Sequence, residues 1–207
     1  MERKSSLNWL EADFKQKIPS FEERASIWKS IRVDPTNSQI KNTDRFVESL
    51  RACYDNGDVG FFQFSVEGND HLSWYASRNR WLEINFFEEF FQLPALQEQM
   101  KEILIGINLS KESVFNWGSA YTIDGELARV LKSGGAYGKF SGSGNDAKVL
   151  AGTLCRSIFE ERYEDIQVYE NHRAWSSWFH NVAWDYTFCW IDHKKHEISI
   201  LCATDTD

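Results

Sequence analysis

The stretch Trp184–Thr204 constrains the fold more than any other part of this 207-residue chain. Trp184, Tyr186, Phe188 and Trp190 occupy alternate positions, and Asp185, Thr187, Cys189 and Ile191 fill the places between. Strand side chains point to opposite faces in turn, so the pattern predicts an aromatic, mostly buried strand. Glu197–Ala203 reads as the return strand of a hairpin, with the polar run Asp192–His196 at its tip. If Ile191 lies opposite Ile198, Asp185 faces Thr204 and Trp184 faces Asp205.

The clearest helix precedes this hairpin. Ser143-x-x-Asp146 is a cap, and Ala147, Leu150, Ala151, Leu154, Ile158 and Phe159 recur at helical spacing, predicting a helix from about Asn145 to Arg162 on the sheet. The N-terminal part reads as helical. Leu7, Leu10, Phe14 and Ile18 suggest one helix, Ser20-x-x-Glu23 caps a second that ends at Pro35, and a third starts near Thr43 and stops at Asn56-Gly57. Phe62, Phe64 and Val66 alternate, as do Leu72, Trp74 and Ala76, which suggests a hairpin around Glu67–Asp70. The stretch RWLEINFFEEFFQLP, residues 80–94, reads as one deeply buried helix carrying Phe86, Phe87, Phe90 and Phe91, and Pro94 opens another carrying Leu96, Met100, Ile103, Leu104 and Ile107. Strands near Val114–Trp117, Ala136–Phe140 and Ile166–Tyr169, a helix over Asp124–Lys132 and a turn around Trp175–Phe179 complete the reading.

The expected architecture is a single α+β domain over residues 1–207. It has a mixed β-sheet with a C-terminal antiparallel hairpin, helices packed on it, and a mainly helical part at 1–56 before the sheet-containing 57–207.

A net charge of −8 argues against nucleic acid as a partner, because phosphate binding needs a basic stripe. No uncharged apolar run approaches the ~20 residues of a membrane helix, and the charged start, MERKSSLNWL, is not that of a secretory leader. Cys53, Cys155, Cys189 and Cys202 form no C-x-x-C pair and sit in apolar patterns, so they read as buried free thiols of a cytoplasmic protein.

Three constellations could carry chemistry. Gly142-x-Gly144-x-x-Ala147 has the form of a dinucleotide loop, with Lys139 beside it for a phosphate. The preceding strand is short and the acidic residues that follow fall at a helix end, so a glycine loop feeding a capped helix is the plainer account, and no cofactor is implied. Asp192, His193 and His196 are metal-ligand types, yet two lysines separate the histidines on a loop tip where such groups are usually solvated. At the open end of the hairpin, Asp185, Asp205 and His180 could converge with Thr187 and Thr204, walled by Trp175, Trp178 and Trp184. Paired carboxylates and an imidazole suit general acid–base hydrolysis. The simpler alternative is that Asp185 only ties a turn or the chain end by hydrogen bonds.

The leading functional expectation is a cytoplasmic protein-binding module that presents an acidic, aromatic-bearing surface to a basic protein. Nine Trp residues could supply the lasting contact. A small acidic domain without catalytic signature has the general character of bacterial toxin-neutralising, immunity-type proteins. The alternatives are a small hydrolase built around Asp185, Asp205 and His180, and a non-catalytic domain that binds a small ligand.

Overall fold

The structure, a computed structural model, describes residues 9–36, 43–109 and 115–207. At its centre are two strands whose every residue is at least partly buried: β5 (Tyr186–Asp192) and β6 (Glu197–Thr204). Ile191 lies opposite Ile198, the expected register. On the other side of β6 runs β2 (Asp58–Glu67), then the edge strand β1 (Arg32–Pro35). Beyond β5 come β4 (Ile166–Asn171) and the two-residue edge strand β3 (Asn116–Trp117).

Every pairing in this six-stranded sheet is antiparallel, so the sheet is not mixed. The difference has a simple cause. The helix α7 (Gly144–Phe159) leads into β4 without a parallel strand before it, because residues 136–140 form a loop rather than a strand. That loop folds back on the end of α2 (Thr43–Arg51): the Gly135 N–H donates to the Cys53 carbonyl at 3.1 Å. A side chain at Gly135 would collide with that carbonyl.

Alternation of side chains splits the core in two. Cys189, Ile191, Ile198, Ile200 and Cys202 face a cluster built on α1 (Phe21–Ser30), α3 (Asp70–Ala76), α4 (Phe86–Phe90) and α5 (Pro94–Gln99). Phe188, Trp190, Leu201 and Ala203 face α2, α6 (Ile123–Ser133) and α7. Helices therefore cover both faces, and an α+β fold results. Burying large aromatic side chains on each face is worth roughly 2–3 kcal/mol apiece before entropy is charged.

The caps of α1 and α7 are those expected: Ser20 with Glu23, and Ser143 with Asp146. Four expectations about single elements fail. Leu72–Ala76 is helical, since Asn69 accepts the Leu72 N–H at 2.8 Å and buries Leu72, Trp74, Tyr75 and Ala76 together. Residues 9–18 form bends and turns, leaving Phe14 and Ile18 exposed, while Leu7 lies outside the described residues. The phenylalanine helix is broken at Asn85, which takes a left-handed φ of 50° between a 3-10 turn and α4. Its four phenylalanines are buried as expected. The N-terminal part also supplies a strand, β1, where the second helix was expected to reach Pro35. No described helix is long and apolar enough to cross a membrane.

Candidate functional site

The hairpin register brings Thr204 to Asp185, but both candidate catalytic aspartates turn inward. Asp185 is 1% exposed. It accepts the Thr204 hydroxyl at 2.6 Å, the Val182 N–H at 3.2 Å and the His180 N–H at 3.4 Å. Asp205 is 0% exposed. Its two oxygens accept the Asn56 N–H at 3.0 Å and the Ala136 N–H at 2.7 Å, fastening the loop after α2 to the loop after α6. The other residues of that constellation scatter. Trp175 is buried, stacked on Phe91 at 4.7 Å, and its indole N–H donates to Thr187 at 2.8 Å. Trp184 packs half-buried on the α7 side. His180, Trp178 and Thr204 line a shallow hollow of about 410 Å³ that neither Asp185 nor Asp205 lines. A buried carboxylate that accepts backbone amides is satisfied within the fold and ties loops together.

The hairpin tip is also committed. Arg162 grips both oxygens of Asp192, at 2.9 and 2.6 Å, and the same carboxylate accepts the Lys194 and Lys195 N–H groups. His193 is not solvated. It is 6% exposed because Trp9 and Trp81 pack against it. His196 stacks on Trp9 at 4.3 Å. Among the described residues no group of three or more His, Cys, Asp or Glu is arranged to hold a metal. The glycine loop is a cap: Ser143 and Asp146 satisfy each other's backbone N–H groups, placing a carboxylate where an anion would sit. Lys139 spends its ammonium on the Ser133 and Gly135 carbonyls, both at 2.9 Å. All four cysteines are free and buried, and burial pushes the Cys155 and Cys202 thiols up to about 12.

The open site lies elsewhere. A cavity of about 530 Å³ opens beside the β3–β4 edge, in the size range of ligand sites. Trp117, Tyr121 and Tyr163 wall it, Glu164 and Asp165 add carboxylates, and Trp9, Gln167 and His193 lie along its lining. Each ring is braced. Tyr121 stacks on Tyr163 at 5.6 Å, Tyr163 meets Phe159 edge-on, and Trp117 meets Tyr169 edge-on. The Tyr121 hydroxyl donates to Glu164 at 2.9 Å. Glu164's own N–H and then that hydroxyl hold its carboxyl below the usual range.

Two acceptors on this lining have no partner in the described structure. The His193 Nδ1 lies 3.1 Å from the Trp9 carbonyl. A carbonyl can only accept, so Nδ1 carries the proton. Burial lowers the His193 pKa, so the ring is neutral at pH 7 and Nε2 bears a lone pair. Nε2 is buried and unpartnered. Gln167 donates its amide to the Tyr169 hydroxyl at 2.8 Å and leaves Oε1 buried and unpartnered. The Trp9 indole N–H is unpartnered too.

Sequence reasoning missed this cavity, since its lining comes from five separated segments. Comparison of the chain with family models, curated proteins and solved structures finds no match in any of the three.

Proposed function

We propose that this protein is a non-catalytic, cytoplasmic protein-binding module whose acidic, aromatic face at the β3–β4 edge engages a basic protein partner. A toxin-neutralising, immunity-type protein is one form that such a module takes. The observation that carries the reading is the exposure of Trp117 and Tyr121, 61% and 64%, beside the carboxylates of Glu164 and Asp165. Large aromatics held rigidly at the surface supply binding hot spots, and like charges around them steer an oppositely charged partner. Among the described residues no Lys or Arg lines the cavity. The hydrolase reading loses its footing, because Asp185 and Asp205 are buried and bound to backbone amides.

The test is affinity capture from the native host with the wild-type protein and with Trp117→Ala/Tyr121→Ala, followed by association kinetics on the captured partner. The reading expects a basic partner lost by the double variant, with an association rate that falls as salt rises. A captured set unchanged by the variant, or a rate indifferent to salt, overturns it.

A further inference from the structure

The chemistry of the β3–β4 cavity selects its occupant. Among the described residues its charged lining residues are Glu164 and Asp165; Arg162 lies 3.8 Å from Asp165, so Glu164 carries the uncompensated charge that repels an anion and draws in a cation. Its walls are ring faces, on which a flat cation stacks better than a compact ammonium. Its unpartnered acceptors, His193 Nε2 and Gln167 Oε1, demand hydrogen-bond donors. A planar cation with several N–H donors in one plane satisfies all three demands. Guanidinium is that group.

We infer that the cavity is an arginine pocket, which takes the guanidinium of an arginine side chain presented by the basic partner. This rests on the protein-binding reading above and adds to it the residue that is recognised. The guanidinium lies between the rings of Trp117, Tyr121 and Tyr163, donates to the two free acceptors, and is neutralised by the Glu164 carboxylate, since Asp165 already faces Arg162. Arg162 does not fill the pocket internally: it grips Asp192, reaches Asp165 at 3.8 Å and does not line the cavity. The unpartnered Trp9 N–H asks for one acceptor. A guanidinium has none, whereas an arginine within a peptide carries carbonyl groups. The peptide form is therefore the tighter ligand.

The test uses N-acetyl-arginine-amide, with N-acetyl-citrulline-amide, N-acetyl-lysine-amide and methylguanidinium as comparisons. Binding is read from the side-chain signals of His193, Gln167 and Trp117 in NMR spectra of the full chain. The arginine amide is expected to bind at least about tenfold tighter than the citrulline amide, which has the same shape without the charge. Glu164→Gln, a change at the rim, is expected to weaken the arginine amide severalfold while leaving the rest of the spectrum in place. Equal binding of arginine and citrulline amides, or no shift at His193 and Gln167 at millimolar ligand, overturns the pocket. Methylguanidinium binding as tightly as the arginine amide overturns the partner side chain as occupant in favour of a small guanidinium compound. The two proposals fail separately. If Trp117→Ala/Tyr121→Ala loses the captured partner but the arginine amide does not bind, the pocket falls and the module stands. If the amide binds while capture is unaffected, the module falls and the guanidinium site stands.

Discussion

Asp205→Ala should loosen the seam between the α2 and α6 loops. The aspartate accepts one N–H from each, at 3.0 Å from Asn56 and 2.7 Å from Ala136, and is itself fully buried. Hydrogen bonds to a charged group are worth about 1.5–3 kcal/mol each. Both amides are partly reachable by water, so their loss belongs near the lower end, about 3–4 kcal/mol for the pair. For a domain of this size, 1 kcal/mol corresponds to about 2–4 °C, which places the fall in Tm at about 6–16 °C. Asp205→Asn keeps one acceptor and should cost about half as much. Thermal melts give the total, and hydrogen exchange locates it: the Asn56 and Ala136 amides should lose protection while β5 and β6 keep theirs. A Tm within about 2 °C of wild type, or unchanged exchange at both amides, refutes the account of Asp205 as a fastener.

Other expectations follow the same logic. Asp185→Asn should cost about 1–3 kcal/mol, since the amide cannot serve the Thr204 hydroxyl and the two backbone donors equally; an unchanged melt would return this residue to the list of reactive groups. Arg162→Met should cost about 3 kcal/mol by chemical denaturation, the low end for breaking a buried pair, because Asp192 keeps the Lys194 and Lys195 amides. The His193 and His196 rings should titrate below 6.5 in NMR spectra, both lowered by burial. The unfolded chain then takes up protons near 6.5 before the native one does, so these rings contribute stability that is present above 6.5 and lost as pH falls through their lower native values. Glu197, whose carboxyl burial pushes up, works in the opposite direction, so each ring is followed by its own signal. A midpoint at or above 6.5 for His193 contradicts its neutral, acceptor-bearing state.

The hairpin was legible because a period of two over seven residues leaves one register, and the contact of Thr204 with Asp185 follows from it. Capping boxes marked α1 and α7 for a similarly local reason. Leu72, Trp74 and Ala76 were not decisive, since three alternating positions also fit a short helix buried all round. The cavity was illegible because nothing local joins Trp9, Trp117, Gln167 and His193. His193 and His196 resembled a wet loop tip, and only the return of Trp9 across them makes the tip dry. The one hint was Trp9 itself, a large aromatic off the helical stripe of Leu7, Leu10, Phe14 and Ile18.

The position of β6 bears on how the molecule is made. It pairs with β2 on one side and β5 on the other, and its β2 partners were synthesised more than a hundred residues earlier. At ordinary rates of translation that interval is on the order of ten seconds. Throughout it, β2 has only the short β1 beside it, and one of its edges stays open with Val59, Phe61 and Phe64 along the strand. Such an edge invites pairing with other nascent chains. Cellular yield should therefore depend on chaperone supply and translation speed more steeply than the melting temperature of the finished protein suggests.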